Sequence, residues 1–250
     1  MEIKVLKTNL ETILPFRKLF LQETNFQVRY NACHERGWTD SYIIMAGEAA
    51  IGYGSVKGKD NIPDRDAIFE FYLVPQYKKL ATTLFEKLIS ISGVSCMECQ
   101  SNDLVLTSLL YEFTQNIQAD VILFEDNIPT ELSLPGIIFR TCTENDLVFE
   151  HASEPKGDYV LESANKIVAT GGFMRHYNFP FADLYMEVQE EHRMKGLGSF
   201  LIQELKKQCY LSGRVPAARC GLTNIASRAT LLKAGLKIAG FMLTGNIKIK

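Results

Sequence analysis

The sequence predicts a mixed α/β (α+β) protein in which one order of elements occurs twice. Three observations predict it. Short apolar runs with period-two alternation are interspersed with segments of helical spacing. The order strand, helix, hairpin, strand, loop, helix, strand, helix, strand fills the first half and begins again after Gly136. Between the two runs, Asn127–Gly136 carries two prolines, a serine and a glycine, the composition of a linker. The 250 residues, 46% hydrophobic and 22% charged, are enough to build two cores.

In order, Ile3–Lys7 alternates as a strand, and Asn9–Gln22 places Leu10, Ile13, Leu14, Leu19 and Phe20 at helical spacing. Pro15 lies inside that segment and predicts a kink or a restart. Thr24–Gly37 is mixed, with an irregular or short helical reading. Asp40–Ala46 and Ala49–Lys57 form a hairpin turning at Gly47-Glu48. A charged loop over Lys59–Arg65 precedes the strand Ala67–Val74, which Pro75 ends. Thr82–Ser92 is a helix with Leu84, Phe85, Leu88 and Ile89 on one face. Val94–Ser101 is a strand, and Asp103–Phe113 a helix capped by Ser101, Asn102 or Asp103. Ala119–Glu125 closes the half as a strand.

The second half opens with the strand Gly136–Cys142 and the polar stretch Thr143–Gly157. Tyr159–Ser163 and Ile167–Arg175 form a hairpin around Asn165, and His176–Phe181 is a loop. A strand at Ala182–Val188 leads through a Gly-bearing loop to a helix from about Gly198 to Leu211. Val215–Cys220 is a strand, and Ala226–Ala234 a helix ended by Gly235. Strands at Lys237–Leu243 and Ile247–Lys250 finish the chain.

A net charge of −2 gives no electrostatic footprint for nucleic acid or an anionic membrane surface. No apolar run is long enough to span a bilayer, and Met1–Leu10 mixes charged with apolar residues, so a cytoplasmic location is expected. Cys96-x-x-Cys99 lacks a second pair or a His pair to complete a metal site, and strand alternation would turn the two thiols apart. Reduced structural cysteines and no metal are the expectation for the six cysteines.

The stretch with most chemistry in it is Ala182–Tyr210, a strand, a charged loop with Arg193-x-x-Gly196-x-Gly198, and an amphipathic helix. The first N–H groups of a helix lack internal partners and carry the positive end of its dipole, so this is a place to hold phosphate. Glycines at 196 and 198 remove the Cβ atoms that would keep a ligand from those amides.

Val188, the Arg193-Met194-Lys195-Gly196-Leu197-Gly198 segment, and the later CGLTNIASRATLLKAGL segment with Asn224, Ser227 and Gly235 together resemble the GCN5-related N-acetyltransferases (GNAT superfamily). The resemblance covers most of Gly136–Lys250; in the first half only element order and fragments agree. It implies two tandem acyl-CoA N-acyltransferase-like domains, each a mixed, mostly antiparallel twisted sheet flanked by helices. Their expected extents are residues 1–130, degenerate and without a cofactor loop, and 136–250, binding acetyl-CoA. By the same resemblance the sheet splays between its fourth and fifth strands. Strand backbone at Glu187, Val188 and Gln189 would pair with the pantetheine, and Arg193, Met194, Lys195, Gly196, Leu197, Gly198 and Ser199 would hold the pyrophosphate. Asn224 and Ser227 would contact the cofactor arm.

The implied reaction is acetyl transfer from acetyl-CoA to a primary amine by direct attack. The acceptor would be a small-molecule amine or a peptide amine, with a monomer or homodimer as the assembly. Glu187, on the Asp183–Tyr185–Glu187 face and nearest the loop, is the candidate base, with solvated edge charge as the alternative. His192 and His176 flank the site. Many relatives carry an acid tyrosine seven residues beyond the asparagine; here that position is Leu231, leaving Tyr185, Cys220, Tyr210 or water to protonate the thiolate. The missing tyrosine keeps a second reading open, a non-catalytic acyl-CoA-binding sensor or pseudoenzyme. In the first half, Asn102 and Leu109-Leu110 lie over Asn224 and Leu231-Leu232, and Ala81 and Thr83 stand where Gly196 and Gly198 stand in the second. That half is expected not to bind CoA, and instead to cover a sheet edge and wall the acceptor pocket.

Overall fold

A computed structural model describes residues Glu2–Lys248, and most elements fall within two residues of their sequence signals. The first compact unit comprises the residues up to Phe26, Tyr30–Val121, and the chain from Gly240 onward. It opens with β1 (Ile3–Thr8) and α1 (Leu10–Glu23). Asn9 caps α1 by accepting a 3.0 Å hydrogen bond from the Thr12 N–H. The helix runs through Pro15 without the expected restart, since a proline this near the start forfeits only one early intrahelical bond. A short α2 (Tyr30–Glu35) resolves the mixed stretch after it. Strands β2 (Thr39–Ala46), β3 (Ala49–Lys57) and β4 (Ala67–Leu73) follow, then a 3₁₀ turn at Pro75–Leu80 that runs into α3 (Ala81–Ser92). β5 (Cys96–Gln100), α4 (Leu104–Phe113) and β6 (Thr114–Asp126) complete the half.

β1 through β4 pair antiparallel, whereas β4 and β5 run parallel and pair at only two positions, Ala67 with Cys96 and Ile68 with Met97. Leu84, Phe85 and Leu88 of α3 and Leu106, Leu109 and Leu110 of α4 are buried in one apolar cluster with Ile44, Ile68, Phe71 and Met97. At roughly 1.5–3 kcal/mol per fully buried large apolar side chain, such a cluster is the main favourable term for the unit. Cys96 and Cys99 are buried free thiols, and burial pushes them up to about 11 and about 12, which suits structural roles. Among the described residues no group of His, Cys, Asp and Glu could hold a metal.

The second unit comprises Gln27–Arg29 and Ile122–Ala239. After β7 (Ile137–Thr141) come β8 (Tyr159–Ser163), β9 (Lys166–Met174) and β10 (Phe181–Val188). Then follow α5 (Leu197–Leu211), β11 (Val215–Gly221), α6 (Ile225–Lys233) and β12 (Leu236–Ile247). The β8–β9 hairpin turns through Ala164 and Asn165, both in the left-handed region at φ 47° and 61°. Antiparallel pairing joins β7 to β8, β8 to β9 and β9 to β10. β10 and β11 are parallel and pair only at Phe181–Val215, Ala182–Pro216 and Asp183–Ala217, after which they part. This is the mixed, mostly antiparallel architecture expected, with a splay between the fourth and fifth strands of the unit.

Two expectations about chain organisation change. β12 is one long strand in place of two, and from Gly240 it belongs to the first unit, where Met242 pairs with Gln100 and Asn246 with Cys96. The division at 130 and 136 therefore misassigns the C-terminal strand; the end of the expected strand Ile247–Lys250 lies outside the described residues. The Asn127–Gly136 stretch is also not a free linker. The Gln203 side chain on α5 accepts from the Leu132 N–H at 2.7 Å and donates to the Leu132 carbonyl at 3.1 Å. Lys206 Nζ donates to the Ile128 carbonyl at 2.7 Å and to Ala234 at 3.0 Å.

Candidate active site

The loop after β10 positions the start of α5 through two left-handed residues, Met194 at φ 62° and Gly196 at φ 82°. Gly196 is the N-cap of α5 and supplies no side-chain cap, so the first N–H groups of the helix stay open. Glycine is favoured at 196 by that backbone angle and at 198 by space. A Cβ on Gly198 would sit 3.1 Å from both Met186 Cε and Thr230 Cγ2.

These elements border a cavity of about 800 Å³ at the splay of the second unit. Val188, Arg193, Met194, Gly196, Leu197, Gly198 and Ser199 line it from the strand and loop, and Asn224 and Ser227 from the start of α6. Gln189 and Lys195 do not line it. The Gln189 N–H donates to the Val168 carbonyl at 3.0 Å, and Lys195 Nζ turns back to the Glu191 carbonyl at 3.0 Å. Antiparallel pairing alternates, so with Gln189 bonded to β9, the Glu187 backbone faces β9 as well. The backbone groups of Met186 and Val188 face the splay, which moves the expected pantetheine-facing positions from 187–189 to 186 and 188.

Asn224 has a definite local task, since its Oδ1 accepts from the Ser227 N–H at 3.0 Å and caps α6. Lys233 and His192 also line the cavity, and the Lys233 ammonium lies 3.9 Å from where a Gly196 Cβ would be. Arg193 Nε donates to the Val188 carbonyl at 3.2 Å, fixing the loop to the strand end. Lys233 was missed in the sequence, yet a signal existed: Ala226, Ala229, Thr230 and Lys233 are spaced i, i+3, i+4, i+7, a small-residue face ending in a cation.

Glu187 is buried and fully engaged. Its carboxylate accepts from the backbone N–H groups of Ala152, Ser153 and Glu154 at 2.8, 3.1 and 3.0 Å. Burial pushes this carboxyl up, but the three donors outweigh it and hold it at about 2. A group so reluctant to take a proton is a poor general base, and its structural effect is to fold the 151–154 segment onto β10. Asp183, on the same face, meets His176 Nε2 at 3.1 Å and lies 3.7 Å from Arg219 Nε.

None of the three candidate thiolate acids, Tyr185, Cys220 and Tyr210, lines the cavity, and the Tyr210 hydroxyl donates to Asp126 at 2.7 Å. The Tyr185 ring lies across Gly172 of the neighbouring strand, its hydroxyl 2.7 Å from where a Cβ there would be. Burial, then Asp158 and Glu154, raise its pKa. Cys220 is buried on β11, and burial raises it too, with Ser227 opposing. Leu231, at the position of the absent tyrosine, is a buried α6 residue outside the lining.

In the first unit the corresponding place, bordered by Leu73, Ala81 and Asp103, holds a cavity of only about 30 Å³. The chain enters α3 straight from a 3₁₀ turn, with Ala81 in right-handed helical geometry at φ −53°. No left-handed turn opens the helix start. Phe20 and Glu23 of α1 also border the residual space, and Glu23 accepts hydrogen bonds from the Tyr72 hydroxyl and, at 2.7 Å, from Lys78. Asp103, rather than Asn102, is the structural counterpart of Asn224, capping α4 through the Leu106 N–H at 3.0 Å.

The Acetyltransferase (GNAT) domain family matches residues 9–127 and the Acetyltransferase (GNAT) family matches residues 126–236, so the two together take in nearly the whole chain. The chain belongs to the GNAT acetyltransferases. It carries two GNAT domains in tandem. Among solved structures, a GNAT-family acetyltransferase from Colwellia psychrerythraea is similar over 99% of this chain and 100% of its own, with TM-score 0.74 and 15% identity. A tandem GNAT protein from the clavulanic acid biosynthesis pathway is similar over 100% of both chains, with TM-score 0.57 and 10% identity. A GCN5-related N-acetyltransferase from Sphaerobacter thermophilus is similar over 84% of this chain and 81% of its own, with TM-score 0.52 and 12% identity. At these identities the likeness is one of fold. No curated protein matches the sequence. No helix among the described residues of this GNAT chain is long and apolar enough to cross a membrane.

Proposed function

We propose that the second unit binds acetyl-CoA and transfers its acetyl group to a primary amine by direct attack. The observation that carries this reading is the cavity of about 800 Å³ bordered at once by an uncapped helix start, a splayed strand and two basic side chains, Arg193 and Lys233. The helix-start amides and the two cations suit a pyrophosphate. The Met186 backbone and the Val188 N–H, which face the splay, suit the amide-bearing pantetheine arm, which can add to the strand edge. The neutral amine nitrogen attacks the thioester carbonyl, and the Val188 N–H, facing the splay, is placed to donate to the developing oxyanion. Attack forms the C–N bond, collapse of the adduct breaks the C–S bond, and the departing thiolate takes its proton through water, since none of Tyr185, Cys220 and Tyr210 lines the cavity.

Following free thiol with acetyl-CoA and a panel of primary amines tests the reading; amine-dependent thiol release is the expected result. Leu231 at the tyrosine position favours one rival, a sensor that binds acyl-CoA without turnover. Tight binding with no thiol release across the panel would establish the rival instead. The expected place of action is the cytoplasm, which separating the membrane from the soluble fraction of cells would check.

A further inference from the structure

A second cavity, of about 540 Å³, lies in the 146–156 segment of the same unit, and Glu154 lines both it and the cavity at the splay. Three carboxylates line one cavity or the other. Asp146 is held by Arg140 through two hydrogen bonds of 2.8 and 2.7 Å, and Glu187 is consumed by three backbone donors. The Glu154 carboxylate alone has no hydrogen bond or ion pair among the described residues, although its own N–H is pinned to Glu187 at 3.0 Å. The pinning gives this carboxylate a fixed root on an otherwise irregular segment.

From this juxtaposition, and resting on the acyl-transfer reading above, we propose that the 146–156 cavity receives the acceptor amine and that Glu154 is the general base that deprotonates it. The Glu154 carboxylate takes one proton from R–NH₃⁺ and becomes a carboxylic acid. The freed nitrogen pair attacks the acetyl carbonyl and forms the C–N bond, the adduct nitrogen gives its second proton through water to the departing thiolate as the C–S bond breaks, and the Glu154 acid returns its proton to solvent. Leu147, Val148, Phe149 and Pro155 share the lining with Asp146, His151 and Lys156, so the acceptor class it fits is a primary amine on a compact body with one apolar part.

The charge environment agrees with this role. Burial, then the neighbouring Asp183, then Glu187 raise the Glu154 pKa, with Arg219 of β11 opposing and His151 on its own segment nearby. A base displaced upward from the ordinary carboxylate range is closer to what proton abstraction near neutral pH demands.

The test uses the full chain, acetyl-CoA, and phenethylamine and spermidine as acceptors. Wild type should turn over phenethylamine with the higher kcat/KM, on a pH profile whose acid limb reports one ionisation. Glu154→Gln should lower kcat/KM at least about 100-fold and remove that limb, with the acetyl-CoA Kd unchanged by calorimetry, and Glu154→Asp should restore part of the activity. Leu147→Ala, at a 93% exposed position where folding is not at stake, should raise KM for phenethylamine more than it lowers kcat. Wild-type turnover that Glu154→Gln leaves within threefold, with the acid limb intact, would overturn the assignment of Glu154. Preference for spermidine, or an unchanged KM in Leu147→Ala, would overturn the acceptor class. Absence of wild-type turnover on every amine would instead remove the acyl-transfer reading on which the proposal rests.

Discussion

The two GNAT units use the same sequence of elements but spend the same place in the fold differently. In the second, β10 and β11 pair at three positions and part around a cavity of about 800 Å³. In the first, β4 and β5 pair at two positions and part around about 30 Å³. The difference lies in what enters the gap. The second unit leaves a left-handed Gly196 turn and open helix amides at its mouth. The first replaces the turn with a 3₁₀ segment one residue shorter between strand and helix, and α1 brings Phe20 and the Glu23 carboxylate to the space. A carboxylate where a pyrophosphate would sit is repulsive as well as bulky. The polar face of the strand differs as well. In the first unit Glu70 is fully buried, paired by Arg17 at 2.9 Å and bonded by His34 at 2.9 Å and Tyr53 at 3.0 Å, a closed network. In the second, Asp183 and Glu187 lie beside the segment that carries Glu154.

The largest expected effect tests the closed network. Glu70→Gln leaves the Arg17 guanidinium buried without its counter-ion, and should lower unfolding stability by about 3–5 kcal/mol in denaturant titrations. If the network is purely structural, the acetyl-CoA Kd of the folded fraction stays unchanged. Next is Gly196→Glu, which forces a bulky anion into a left-handed position at the mouth of the cavity; calorimetry should show Kd raised at least about 100-fold. The wild-type titration should give one acetyl-CoA per chain, and two equivalent sites would erase the contrast between the units. A smaller effect is expected from Gln203→Ala, which frees both backbone groups of Leu132 and should cost about 1–3 kcal/mol with little change in Kd.

The smallest effect concerns acid. The Glu187 pKa is depressed in the folded protein, so its stabilisation is present above the ordinary carboxylate range and is lost as pH falls toward about 2. Glu187→Gln should melt lower than wild type at pH 7, with the two melting temperatures converging as pH falls from 5 to 2. Parallel curves would show that the three amide contacts contribute nothing through charge.

Much of this was legible in one sequence because local rules leave local marks. Asn9, Asp103 and Asn224 cap helices because their side chains reach an N–H three residues on, and that spacing is written in the chain. Period-two alternation located nearly every strand, and the Gly196-x-Gly198 spacing located the loop that borders the cavity of the second unit, since a left-handed turn and a close approach each favour glycine. The repeat was readable in outline, but its register at the second motif was off by one, because Asn102 resembles Asn224 while Asp103 performs the capping.

What only the tertiary structure decided depends on contacts between residues far apart in the chain. Membership of Gly240 onward in the first unit is set by pairing with β5, more than a hundred residues away, which alternation within β12 cannot reveal. The linker-like composition of Asn127–Gly136 gave no sign that Gln203 and Lys206 would hold it. The roles of the carboxylates were decided in the same way. On sequence, Glu187 was the natural base, being on the strand and nearest the loop; in space three amides from residues 152–154 occupy it and leave Glu154 open. Alternation tells which face of a strand a carboxylate takes, but whether it keeps its proton affinity depends on donors brought from elsewhere by the fold.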